Sequence, residues 1–163
     1  MRITDQADFD SAPEDLLAAF TDREYFLRKY RRLDGGDVEI ESCEDDGERF
    51  VIAVRRHLPP AGPLPGFVRK LVGNRIAVTQ TDTWHRSRQC GRIDILVHAA
   101  PVAVGVDLDI GPRDTGSRLS LDYEVDVRVP LLRGRLERFL AEDIVRRTRD
   151  DLDVTRQLLE EGS

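Results

Sequence analysis

The segment from Leu132 to Glu160 limits what the rest of this chain can fold into. Leu132, Leu136, Leu140, Ile144, Thr148, Leu152, Thr155 and Leu159 recur at spacings of three and four, the period of one face of an α-helix. A helix of ~29 residues spans about 43 Å, long enough to lie across a whole sheet. Its apolar stripe therefore needs a partner surface of that size.

The preceding chain supplies one. Ile3, Ala7 and Phe9 alternate with Arg2, Thr4, Gln6 and Asp8, the period-two signature of a strand with one wet face. The same alternation returns with Val38 and Ile40, and with Phe50, Ile52 and Val54 across the acidic turn Asp45, Asp46, Gly47. It continues through Ile76, Val78 and Trp84, then Ile93, Ile95 and Val97, then Val102 to Ile110, and finally Leu119 to Val129. Turn residues separate these runs, most plainly Gly111 to Gly116, so consecutive strands are expected to be antiparallel neighbours. Two Ser/Thr-x-x-Glu patterns, Ser11 with Glu14 and Thr21 with Glu24, predict two short capped helices after the first strand. Their inward residues are Leu16, Leu17 and Phe20, then Tyr25, Phe26 and Tyr30. The order predicts an α+β chain: a seven-stranded curved antiparallel sheet wrapped around a long C-terminal helix, as one domain over residues 1–163.

One stretch breaks the alternation. His57 to Asn74 contains Pro59, Pro60, Pro63 and Pro65, which fix backbone angles and remove amide donors, so the segment must leave the sheet. A short helix is expected at about Pro65–Val72, where Leu64, Phe67, Val68 and Leu71 make one apolar face and Arg69 and Lys70 point outward. The nearest surface for that face is the open end between sheet and long helix. The segment reads as a proline-stiffened lid over a pocket mouth, or as a fixed plug of the core.

Composition narrows the function classes. A formal net charge of −6 gives no electrostatic reason to expect nucleic acid or an anionic membrane as partner, and no apolar run approaches a membrane span. The N-terminal MRITDQADFD lacks the apolar core of a signal peptide, so a cytoplasmic protein with two reduced thiols, Cys43 and Cys90, is expected. Strand parity puts His57 and His98 at one end of the outer face and His85 at the other, against a shared metal site. No cofactor is implied, and no Gly-x-Ser-x-Gly or cysteine with an adjacent base points to a nucleophile. Arg146, Arg147 and Arg149, interspersed with Asp143, Asp150, Asp151 and Asp153, read as a solvated, mutually paired helix face. The oligomeric state is left open.

The element order resembles the helix-grip fold of the START, birch-pollen-allergen and polyketide-cyclase superfamily. Three local patterns, Leu58–Gly73, Thr81–Trp84 and Val129–Phe139, resemble an actinobacterial-type family of unknown function within it. Proteins of this fold bind lipids, sterols, polyketides or plant hormones, and some catalyse cyclisation or dehydration. The resemblance implies a cavity without naming its contents.

Candidate site residues are the polar ones on apolar parities, because burying them is costly unless they are paired or used. Ser42 continues Val38 and Ile40; Arg56 continues Phe50, Ile52 and Val54; Gln80 and Asp82 lie between Val78 and Trp84. These four are expected to face inward, with Tyr123 as a further lining residue, and to anchor a ligand carboxylate or carbonyl; solvated strand ends or a structural ion pair are the alternatives. Trp84 reads as core. The expected function is binding of an apolar or amphipathic small molecule in an internal cavity. The alternatives are a cyclase or dehydratase using Asp82, Arg56 or a tyrosine as acid or base, and a protein-interaction module with a filled core.

Overall fold

The computed structural model describes residues 1–58 and 65–162. Its elements run β1 (Arg2–Phe9), α1 (Pro13–Phe20), α2 (Arg23–Asp34), β2 (Val38–Asp45), β3 (Arg49–Leu58), α3 (Gly66–Val72), β4 (Ile76–His85), β5 (Cys90–Val97), β6 (Val102–Pro112), β7 (Ser117–Val127) and α4 (Arg133–Glu161). These seven strands form one sheet in the order β1-β7-β6-β5-β4-β3-β2, every pair antiparallel. From β2 to β7 the sheet is a meander whose strands are joined in sequence; β1 then pairs along the free edge of β7.

The alternation seen in the sequence is the alternation of burial. Phe50, Ile52 and Val54 on β3, Val102 to Ile110 on β6 and Leu119 to Val127 on β7 turn one parity into a common core. Helix α4 crosses that inner face, packing on α2, β7 and β1, and buries Leu136, Leu152, Thr155 and Leu158. Trp84 is sealed in, stacked on Phe20 with ring centroids 5.1 Å apart. Its other side lies against Gly91, its cross-strand partner, where a Cβ would sit 2.6 Å from the indole. A glycine there lets the ring lie flat on the neighbouring strand.

Local details depart from the expected caps. Helix α1 begins after Ala12 with Pro13 at its first turn and no side-chain cap, so Ser11 is not the capping residue. Helix α2 is capped by Asp22, whose carboxylate accepts from the Glu24 amide. Thr21 instead closes α1, donating its hydroxyl proton to the Leu17 carbonyl. In both cases the cap sits one residue later than the Ser/Thr pattern implies: proline at the first turn needs no amide partner, and a carboxylate next to the helix start outcompetes a hydroxyl one position earlier.

A bulge in β2 matters more. Ile40 stands opposite Val54, but the register shifts before Ser42, which stands opposite Ala53. Directly opposed residues share a face, so the extra residue turns Ser42 outward, where it is exposed. The expected inward position of Ser42 is thus corrected: a bulge flips the parity of everything beyond it.

Candidate functional site

The inner face of β4 carries Val78, Gln80, Asp82 and Trp84 in succession, all buried. Arg56 lies on β3 beside Val78, and Ile52 lies beside Asp82. Arg56 and Asp82 do not touch; Gln80 joins them. Because a guanidinium can only donate, Gln80 Oε1 must face Arg56, accepting from Nη1 at 2.8 Å. That orientation leaves Gln80 Nε2 to donate to Asp82 Oδ1 at 2.8 Å and to the Tyr30 hydroxyl at 2.5 Å. Arg56 is otherwise engaged by Asp34 at the end of α2 through a two-pronged contact of 2.7 and 3.1 Å. It also lies 3.9 Å from the Tyr30 ring centroid.

Helix α2 contributes a buried cation. Lys29 follows Tyr25 by four residues and Phe26 by three, so its stem shares their inward face. Its ammonium lies 3.2 Å from Asp151 on α4 and 4.6 Å from the Tyr30 ring centroid. Burial alone would lower its pKa, but attraction to Asp151, Tyr25, Tyr30 and Asp82 holds it well above the ordinary value. Tyr25 donates to Thr155 of α4 at 2.7 Å, since the threonine hydroxyl gives its own proton to the Asp151 backbone carbonyl; burial pushes the Tyr25 phenol up to about 12. Burial likewise pushes the Asp82 carboxyl from 3.8 to about 6, against the opposing pull of Lys29 and of the Gln80 hydrogen bond. Gln80 is the one hydrogen-bond donor that Asp82 meets among the described residues.

Beside this polar wall the core is incompletely covered. Ile95 and Ile93, the cross-strand partners of Gln80 and Asp82 on β5, keep partial solvent access, as do Val97, Phe139, Leu140 and Ile144. In α3, Val68 is buried while Phe67 and Leu71 are partly accessible and Arg69 and Lys70 face out. Arg135 near the start of α4 covers the Phe67 ring at 4.4 Å. Leu64, the fourth residue of the expected apolar face, lies outside the described residues. The depressions on the opposite, outer face are lined by residues such as Arg92, Asp94 and Glu124, or Thr4, Gln6 and Asp122. They are open, and neither is lined by Arg56, Gln80 or Asp82.

The structure brings Arg56, Gln80 and Asp82 together and separates them from Ser42. Tyr123 faces inward on β7, its phenol pushed up to about 12 by burial. Its hydroxyl has no hydrogen-bond partner among the described residues; Thr148 stands close, outside hydrogen-bonding geometry. Sequence reasoning missed Lys29, Asp34 and Asp151. The first was detectable, because Lys29 sits on the same helical stripe as Tyr25 and Tyr30. The histidines are dispersed: His57 neighbours Asp37, His98 bonds Thr79, and His85 pairs with Arg49 and Cys90 across the far end of β4. No cluster of three metal-ligating side chains occurs among the described residues. Arg146 and Arg147 both clasp Asp143, so the face is paired, but it is not wholly solvated: Asp143 is buried and Asp151 turns to Lys29.

A curved antiparallel sheet closed around one long helix, with an apolar and partly accessible inner face, is the helix-grip fold. Among solved structures, the Zhui aromatase/cyclase from a Streptomyces species superimposes with a TM-score of 0.68 at 17% identity, covering 98% of this chain and 93% of that one. A START superfamily protein from Mycobacterium smegmatis gives 0.57 at 13%, covering 99% of each chain. The chain belongs to the family described as "Protein of unknown function (DUF2505)", whose model matches residues 4–159. An uncharacterised protein of Mycobacterium tuberculosis is 26% identical over 148 residues, 82% of each chain.

Proposed function

We propose that the inner face between α3, α4 and β5 walls a cavity for an apolar or amphipathic small molecule, lipid- or polyketide-like in its apolar body. One observation carries this reading: inward-facing apolar side chains of β5 and α4 retain solvent access next to a buried polar wall, where a filled core would cover them. Helix α3 is then the lid, its Phe67 and Leu71 edge meeting the opening and its Arg135 contact holding it to α4. No helix among the described residues is long and apolar enough to cross a membrane. On this reading the protein works in the cytoplasm, where Cys43 and Cys90 stay free thiols.

A second reading has its own support. A carboxyl whose pKa is raised to about 6 is suited to proton transfer near neutral pH, and one neighbour of this fold is an aromatase/cyclase. On that reading Asp82 is the general base of a cyclase or dehydratase acting on a hydrophobic substrate.

Native mass spectrometry of gently purified protein tests the cavity. A small molecule that co-purifies with the wild type and is lost from a folded Phe67→Asp variant supports a lidded binding site. An empty wild type that also fails to take up apolar probes would turn the assignment toward an interaction module. Turnover of a bound molecule that stops in Asp82→Asn would favour the enzyme.

A further inference from the structure

Five charged groups meet around the polar wall: Lys29 from α2, Arg56 from β3, Asp34 from α2, Asp151 from α4 and Asp82 from β4. Arg56 is committed to Asp34 and Gln80, and Lys29 is committed to Asp151. Each cation thus has its own carboxylate, and Asp82 is the third carboxylate against two cations. Its Oδ1 accepts from Gln80, while its Oδ2 has no hydrogen-bond donor among the described residues. The residue is 3% exposed, and its cross-strand neighbour Ile93 is partly accessible on the same face.

We propose that the molecule bound at the inner face presents a hydrogen-bond donor, best a cationic amine, to Asp82 Oδ2, with its apolar body against Ile93, Ile95 and Ile144. The inference rests on the reading of this face as a ligand cavity and gives that ligand its polar chemistry. It reverses the expectation that Arg56 anchors a carboxylate or carbonyl: a guanidinium held by the Asp34 carboxylate in a two-pronged contact has no reason to release it for a ligand carbonyl, a weaker acceptor. A carboxylate placed beside Asp82 would add a second buried negative charge. An ammonium supplies the missing positive charge and the missing donor together. Near neutral pH Asp82 is ionised; the groups that tune it are Lys29 and Tyr30 from α2, Asp151 from α4 and Arg56 from β3.

Isothermal titration calorimetry with decylamine, decanol and decanoate as probes tests this, since the three share one chain and differ at the head. The wild type at pH 7.5 is expected to bind decylamine at least about tenfold tighter than decanoate, a difference of ~1.4 kcal/mol. Between pH 7.5 and pH 5 the preference for decylamine over decanol should shrink by about tenfold as Asp82 takes up its proton. Asp82→Asn should bind decylamine and decanol nearly equally, whereas Asp114→Asn, which removes the same charge from an exposed turn, should keep the preference. Should the asparagine variant fail to fold, the pH series on the wild type still decides. If none of the three probes binds, the cavity reading itself fails. If they bind but decanoate is preferred, or the amine preference survives both low pH and Asp82→Asn, the cavity stands and the donor inference is overturned.

Discussion

Replacing Asp82 with Asn isolates the cost of one buried carboxylate. The substitution keeps an oxygen to accept from Gln80 Nε2 and puts an amide where Oδ2 stood, so shape and the inner hydrogen bond are conserved. What changes is charge. Burial raises the carboxyl pKa from 3.8 to about 6, so the native state binds this proton more tightly than the unfolded chain does. Below pH 3.8 both states hold the proton and the group is neutral toward stability. Between there and pH 6 the unfolded state ionises first, and stability falls as pH rises. Above the native value the penalty is complete: the gap between the two values corresponds to about 3 kcal/mol at pH 7.5, and roughly half of that remains at pH 5. Asp82→Asn should therefore be more stable than the wild type in urea denaturation at pH 7.5 by up to about 3 kcal/mol, with the gain shrinking by about 1.4 kcal/mol at pH 5. An equal difference at the two pH values, of either sign, would refute the reasoning, because it would mean that Asp82 titrates alike in the folded and unfolded chain. A carboxylate kept at such a cost fits a group retained for use rather than for folding.

Arg56→Gln should destabilise by about 3–5 kcal/mol, because Asp34, whose side chain is 2% exposed, loses its countercharge; adding Asp34→Asn should recover much of that loss, and strict additivity in the urea midpoints would deny the pairing. Lys29→Met should raise the Asp82 pKa above its wild-type value of about 6, since the main attraction opposing burial disappears; a carboxyl carbon NMR titration that does not move would show that Lys29 does not act on it. Gly116→Ala should lower stability by on the order of 3 kcal/mol, because Gly116 has φ +101° and a Cβ there would collide with the Phe9 carbonyl oxygen. An unchanged thermal midpoint would mean that the corner between β1 and β7 yields without cost.

The architecture was legible because strand and helix periods are local properties. Each run of alternating residues from Ile76 to Val127 became a strand with the expected face inward, and the stripe from Leu132 to Leu159 became α4 with Thr155 on its buried side. Phe67, Val68 and Leu71 became the inner side of α3, with Arg69 and Lys70 outside, for the same reason. Parity also placed Arg56, Gln80 and Asp82 correctly. It failed at Ser42, since a bulge adds one residue to a strand without a sequence mark, and the reversal is decided only when β2 docks on β3. Nor does parity carry the hydrogen bonds. That Arg56 is spent on Asp34, that Lys29 is spent on Asp151, and that Asp82 is left over depend on how α2 and α4 settle against the sheet, bringing together residues up to 122 positions apart. Sequence determined which residues lie inside, because burial follows a period along one strand or helix; tertiary structure decided which charges are matched, because a countercharge is a neighbour in space.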